Sequence, residues 1–196
     1  MKIKYIIFIL LLSLLSFTKS YSIEPDVFVQ STVNKASNVL SSETSLEKKI
    51  SKLKLIAKDT VDIKGIGFYT LGSVRKTLND EQKKKYAELF EQYFLKSFSS
   101  RLAEYTNPEI SVEGKKVLSE KYTIVNSLLK GTNERPEIKI DWRIYTKNPD
   151  SPLIRDLIIE GLSLARTQKE EFQSILQNND GDINYLFKSL EEFIIN

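Results

Sequence analysis

The feature that most constrains the fold is a long apolar periodicity from Asp80 to about Tyr105. Asn79 is a good helix N-cap, and Gln82 three residues later completes a capping box. Apolar side chains then recur at helical spacing until Asn107-Pro108 ends the pattern. They are Tyr86, Leu89, Phe90, Tyr93, Phe94, Phe98, Leu102 and Tyr105. The spacing predicts one long helix, whose aromatic stripe can fill a core or line a cavity.

The composition changes after this helix to segments rich in β-branched and aromatic residues, separated by turn signals. Ile140, Trp142 and Ile144 alternate with charged residues, as in a strand with one buried face. The predicted strands are Ile110–Glu113, Val117–Leu129, Glu137–Tyr145 and Leu153–Glu160. Short loops favour an antiparallel meander. The fold class is therefore α+β, with a curved antiparallel sheet of about four strands and helices on one side.

Shorter helical patterns flank these two regions. They cover Pro25–Leu40, Glu43–Ala57, Asp62–Leu71 and two segments after Gly161. Gly72 is a plausible helix stop. Lys48, Lys49, Lys52 and Lys54 lie on the solvent side of the second helix. They are either a solvated face or a weak contact for anionic lipid headgroups or an acidic partner.

The N-terminus has the features of an export signal. Lys2 and Lys4 precede an apolar stretch that runs from Tyr5 to Phe17, and small residues stand at Ser20 and Ser22. An uncleaved anchor needs about 20 apolar residues, and this stretch is shorter. We predict a signal peptide at residues 1–22, cleaved after about Ser22, a single domain at 23–196, and a periplasmic location.

Charge and residue usage narrow the function. The predicted signal holds three lysines and no acidic residue, which leaves 26 basic against 26 acidic residues. A neutral chain gives no support to nucleic-acid binding. The sequence has no Cys and no His, so disulfides and a lipid-modified Cys are excluded. The commonest general base and metal ligand are also missing. We therefore predict no catalytic residues and no metal site.

Two short motifs have simple structural interpretations. The Gly161–Ala165 segment is similar to a nucleophile elbow, but without a histidine Ser163 is better interpreted as a helix cap. The Asn178–Asp182 segment is faintly similar to a calcium loop, yet apolar residues stand where its end carboxylates belong. Asp182 is better interpreted as the cap of the last helix.

Three stretches carry a family resemblance. They are Val61-Asp62-Ile63 with Leu71-Gly72 and Arg75, then Asn79–Gln82 with Phe90, Tyr93 and Leu95, and finally Asp156–Leu164 with Phe172 and Ile175-Leu176. In this order and spacing they resemble the MlaC family of periplasmic phospholipid carriers, the toluene-tolerance auxiliary proteins of ABC transporters. Departures include Ile63, where the family often has an aromatic residue, and Pro152–Arg155, where it usually has a Trp.

The resemblance implies a nuclear-transport-factor-2-like sheet and helices that enclose an apolar cavity for acyl chains. Members of the MlaC family carry phospholipid between an outer-membrane lipoprotein complex and an inner-membrane ABC transporter with an MCE-domain ring, and they use no cofactor. We expect a monomer. The expected lining is Phe68, Leu71, Val74, Phe90, Phe94, Ile140, Trp142, Ile144, Leu157 and Ile159. The headgroup is expected at Arg75, Lys76 or the backbone near Gly161.

Two other classes of function stay open at this point. A small enzyme on the same fold would use Asp62, Asp156 and Glu160 as acid and base, although the last two more commonly pair or cap at strand ends. A structural adaptor for envelope proteins would have a filled core. The volume of the cavity distinguishes an adaptor from a carrier.

Overall fold

The computed structural model describes residues 22–105, 107–132 and 135–196. The helices are α1 (Pro25–Leu40), α2 (Leu46–Thr60), α3 (Ile63–Thr70), α4 (Asp80–Ala103), α5 (Leu164–Gln177) and α6 (Ile183–Ile195). A 3₁₀ turn, Val74–Lys76, joins α3 to α4. No helix in these three ranges is long and apolar enough to cross a membrane. Apart from Ser22, the predicted export signal lies outside the described residues.

The strands form one antiparallel sheet in chain order. They are β1 (Ile110–Ser119), β2 (Tyr122–Leu129), β3 (Ile138–Tyr145), β4 (Leu153–Ile159) and β5 (Leu162–Ser163). This architecture confirms the predicted α+β class and the meander. The short β5 was not predicted. It forms because Glu160 and Gly161 both have positive φ, 49° and 82°, as a tight two-residue hairpin requires.

One predicted turn is wrong. The Glu113-Gly114 pair lies inside β1, and the chain turns instead at residues 120–121. The register of β1 against β2 shifts between Val112 and Gly114. A glycine inside a strand often marks such a bulge, and the same residue type also signals turns. The predicted strand Val117–Leu129 is consequently divided between β1 and β2.

Side-chain caps fix where the helices begin. The capping box of α4 is confirmed, with Gln82 N donating to Asn79 Oδ1 at 2.8 Å and Asn79 N donating to Gln82 Oε1 at 3.0 Å. The α2 helix begins three residues later than predicted, because Ser45 is its N-cap. Asp62 caps α3 by accepting a hydrogen bond from Gly65 N at 2.8 Å.

The helices form a layer that is anchored to the margins of the sheet. The α1 helix packs on β1 and β2, while α3 and α5 pack on β4. The long helix α4 packs chiefly on other helices, namely α2, α3 and α6. Buried residues of helices and sheet belong to one apolar cluster, which includes Phe90, Trp142 and Leu186. The core therefore lies between the helical layer and one face of the sheet.

Candidate functional site

The sheet residues predicted to line a cavity share one face. Ile140 pairs with Ile159, and Trp142 pairs with Leu157, across the antiparallel β3–β4 ladder. Ile144 lies on the same face because side chains alternate along a strand. The three β3 residues are buried, whereas Leu157 and Ile159 are half-buried. The structure therefore brings together all five predicted residues of the sheet.

The aromatic residues of the predicted helical lining belong to a continuous row that also includes Tyr86 and Phe98. Ring centroids lie 6.3 Å apart for Phe68 and Tyr86, 5.8 Å for Tyr86 and Phe90, and 6.2 Å for Phe90 and Phe94. Phe94 in turn stacks on Phe98, with the centroids 5.6 Å apart. Leu71 is fully buried and Val74 is half-buried in the same cluster.

Gly67 allows α3 and α4 to approach closely beside this row. A Cβ atom at Gly67 would lie 2.7 Å from Phe90 Cδ1, a distance that side chains do not tolerate. Phe90 is 1% exposed, so its ring is enclosed by the surrounding core. The absence of a side chain at Gly67 therefore positions the centre of the aromatic row.

Polar groups within this apolar layer are paired internally. Trp142 Nε1 donates to Ser127 Oγ at 2.9 Å, and Ser127 Oγ donates to the Ile140 carbonyl at 3.0 Å. The Tyr86 hydroxyl lies 2.7 Å from Thr70 Oγ1, and burial raises the pKa of the Tyr86 phenol well above its usual value. Within the described ranges no buried side-chain nitrogen or oxygen lacks a partner. The side chains between the helices and the sheet therefore offer an apolar environment.

Two recesses open elsewhere on the surface. One of about 500 Å³ lies between α1 and the beginning of β1, and one of about 350 Å³ lies at the junction of α2 and α3. Val33 and Ile110 line the first, and Val61 and Leu153 line the second. None of the predicted lining residues borders either recess. All of them except Ile159 belong to the apolar cluster or pack against it.

The residues predicted to contact a headgroup do not lie together. Arg75 and Lys76 follow α3, and Gln173 Nε2 holds the end of α3 by donating to the Leu71 carbonyl at 3.0 Å. Gly161 instead lies just before Leu164, where α5 begins. Gln173 lies nine positions after Leu164 along the helix, a distance of roughly 14 Å at 1.5 Å per residue.

The Asp156 carboxylate has a structural role. Its side chain is 1% exposed and accepts hydrogen bonds from Ser163 Oγ at 2.6 Å and from Ala165 N at 3.0 Å. Arg143 Nη1 lies 3.4 Å from the same carboxylate. Ser163 also accepts from Arg166 N at 3.1 Å, which confirms that it caps α5. Asp156 therefore fixes the first turn of α5 to the sheet.

The other two predicted acid and base candidates are also held by structural bonds. Asp62 caps α3 and accepts a hydrogen bond from Arg155 Nε at 2.6 Å. Glu160 accepts from the backbone N–H of Lys139 across the β3–β4 ladder.

Asp182 caps α6 as predicted, by accepting from Asn184 N at 2.9 Å. In the part of the chain that the structure describes, no group of His, Cys, Asp or Glu could hold a metal ion.

The sequence analysis missed two parts of this region. Thr123, Val125 and Ser127 of β2 are buried and face the same way as Trp142, with which Val125 pairs. Their alternation with larger neighbours was a usable signal, hidden because a single long strand was predicted there. The second part is Arg155, whose position results from a bulge in β4. No feature of the sequence indicates this bulge.

Comparisons with known proteins identify the family and the fold of this chain. Residues 30–192 match the family model described as MlaC protein. No curated protein matches the sequence. Among solved structures, a phospholipid-binding protein from Ralstonia solanacearum, determined in complex with a phospholipid, has a TM-score of 0.74 at 18% identity. The match covers 88% of this chain and 98% of that chain, which confirms the fold. Because the family model spans most of the sequence, the chain belongs to the MlaC family.

Proposed function

We propose that this chain is a periplasmic phospholipid carrier, whose acyl-chain site is the layer between the sheet and the aromatic row of α4. The observation that carries the proposal is the shared apolar face of β3 and β4, packed in one cluster with Phe90 and Phe94. Family membership supports phospholipid binding and transport. So does the related fold of a protein whose structure contains a phospholipid.

The free-energy cost that a phospholipid carrier has to offset is large. Exposing acyl chains to water costs about 0.8 kcal/mol per CH₂ group, or roughly 20 kcal/mol for two tails of about 16 carbons. Unassisted transfer through water is therefore slow. A carrier has to surround the tails with apolar side chains and leave the headgroup wet. The internally bonded Trp142 and Ser127 meet the first condition, because their polar atoms need no partner from the ligand.

The tails enter, in this proposal, at the end of the sheet where apolar residues are least covered. Ile110, Leu129 and Ile138 lie side by side in the register of β1, β2 and β3, and all three are half-buried. At the opposite end Val61 bridges to Ile154, and both residues are buried. Gly161 lies at the less covered end, since it follows Ile159 of β4. This position supports the proposal that the headgroup lies near Gly161.

Family resemblance supports the partners. The chain would be the soluble component of an ABC-type lipid transport system, exchanging lipid with an outer-membrane lipoprotein complex and with an inner-membrane transporter that carries an MCE-domain ring. An unanchored monomer suits this task. An enzymatic role is less well supported, because Asp62, Asp156 and Glu160 each hold structural bonds.

The single tryptophan provides a direct test. Trp142 is the only Trp in the sequence and is 9% exposed on the proposed tail-binding face. We expect vesicles of phospholipid brominated in the acyl chains to quench its fluorescence, and native mass spectrometry to find phospholipid bound to protein purified from membranes. In a Trp142→Phe/Tyr185→Trp control the indole moves to an exposed position on α6 and should not be quenched.

Negative results in both measurements would refute the proposed carrier function. If no phospholipid co-purifies and brominated lipid quenches Trp142 no more than it quenches the control tryptophan, the layer is a filled core. The adaptor interpretation would then be favoured. Quenching without co-purified lipid would still support uptake, because weakly held lipid is lost during purification.

A further inference from the structure

The α2 helix presents a lysine-rich surface to solvent. It carries five lysines and no arginine, against Glu47 and Asp59. Lys48, Lys52 and Leu55 follow each other at i, i+4 and i+7, which places them on one line along the helix. Lys48 and Lys52 are exposed, and Leu55 is 60% exposed. The buried face of α2, with Leu53 and Ala57, lies on the other side.

We call this line and its flanks the α2 ridge, and define it as Lys48, Ser51, Lys52, Leu55 and Lys58, all of which are exposed. Lys58 pairs with Glu91 at 2.7 Å. Among described residues no carboxylate lies within ion-pair distance of Lys48 or Lys52, unlike Lys83, Lys85 and Lys188 on other helices.

This surface is a local excess of positive charge. Omitting the predicted signal, the chain has equal numbers of basic and acidic residues, so the ridge does not simply reflect a basic protein. Its lysines project from a rigid helix anchored on α1 and α4. The unpaired ammonium groups of Lys48 and Lys52 are complementary to an anionic partner.

The chemistry of the ridge favours a bilayer over an acidic protein. Protein interfaces are enriched in Arg and aromatic residues and depleted in Lys, whereas α2 has five Lys and none of the others. The lysine ammonium is a compact hydrated charge that suits a diffuse layer of phosphate groups. Leu55, exposed between the lysines, can insert its apolar side chain among headgroups.

We propose that the α2 ridge binds the surface of an anionic phospholipid bilayer. The ridge does not border the proposed acyl-chain layer, so this contact is separate from uptake of a lipid molecule. Two or three lysines give weak, salt-sensitive binding, because each contributes about 1 kcal/mol near an anionic surface. Weak binding keeps the protein near a membrane and still allows it to leave.

Vesicle flotation tests the proposal with the full chain lacking residues 1–22. Vesicles of phosphatidylcholine with about one-third phosphatidylglycerol should carry more protein than pure phosphatidylcholine vesicles. The difference should disappear at about 1 M salt, where the Debye length is about 3 Å. The readout is protein bound to vesicles, so it does not depend on whether lipid is extracted.

Matched variants assign the binding to the ridge. Lys48→Gln/Lys52→Gln should lower the partition coefficient roughly 25-fold, as two losses of about 1 kcal/mol predict. Lys116→Gln/Lys121→Gln removes the same charge from the β1–β2 hairpin, where both lysines are exposed, and should change it less than about 3-fold. Leu55→Ser should lower the coefficient several-fold, and its exposed position keeps the fold intact.

Three results would overturn the proposal. The first is equal binding of the wild type to both kinds of vesicle. The second is an equal loss in the two lysine variants, which would mean that only net charge matters. The third is protection of the ridge lysines from acetylation by a purified envelope protein, with no protection by anionic vesicles. This result would make the ridge a protein-docking surface.

Discussion

Replacing Asp156 by Ala tests whether this buried carboxylate is structural. The change removes two charge-assisted hydrogen bonds, from Ser163 Oγ and Ala165 N, each contributing about 1.5–3 kcal/mol. The 3.4 Å contact with Arg143 adds little, because the Arg143 side chain is 41% exposed. Since Ala165 N–H is also left buried without its acceptor, we expect a loss of about 4 kcal/mol of unfolding free energy.

Urea unfolding followed by circular dichroism measures this loss, and heating should show a fall in Tm of about 8–16 °C for a chain of this size. Asp182→Ala is the matched control, because Asp182 caps α6 at an exposed position and should cost about 1 kcal/mol. The variant Asp156→Asn keeps one acceptor oxygen and should lie between the two. If Asp156→Ala costs no more than Asp182→Ala, the carboxylate does not anchor α5 and a chemical role has to be reconsidered.

Three further substitutions test other packing features. Gly67→Ala should destabilise the fold by about 1–3 kcal/mol, because the new methyl group would meet buried Phe90; Gly114→Ala, which meets no atom within 4 Å, is the control in thermal unfolding. Gly161→Ala should cost about 1 kcal/mol, since its φ of 82° is strained for a side chain, and a Tm equal to wild type would contradict this. Burial raises the pKa of Tyr86, so its stabilising contribution is complete below pH 10 and is lost as pH rises further. The free energy of unfolding of the wild type should therefore fall between about pH 9 and about pH 11, and this fall should be about 1 kcal/mol smaller in Tyr86→Phe. An equal fall in both proteins would argue against ionisation of Tyr86 as its cause.

Local signals in the sequence were enough to predict much of the fold. Asn79 and Gln82 are three residues apart and form the predicted cap without help from the rest of the chain. The alternation around Trp142 identified the buried face of β3, because side chains alternate regardless of what covers them. The capping roles of Ser163 and Asp182 also follow from their immediate neighbours.

Features that depend on distant parts of the chain were harder to predict. Gly114 signals a bulge or a turn equally well, and only the partner strand decides between them. Arg155 occupies a bulge in β4, which brings its guanidinium to Asp62. The predicted headgroup residues Arg75 and Gly161 each lie at a turn that contains one glycine, yet the length of α5 separates them. Sequence spacing contains no information about such separations.

The polar anchors between helices and sheet also determine when this chain can fold as it is synthesised. Ser37 Oγ donates to the Pro108 carbonyl, Lys115 pairs with Asp26, and Arg155 pairs with Asp62. Each joins residues 71 to 93 positions apart. The first and third helices therefore gain these anchors only after more than half of the chain has been made. We expect a nascent chain that ends before Arg155 to lack the anchor between α3 and β4, so that the fold is completed only when synthesis is nearly finished.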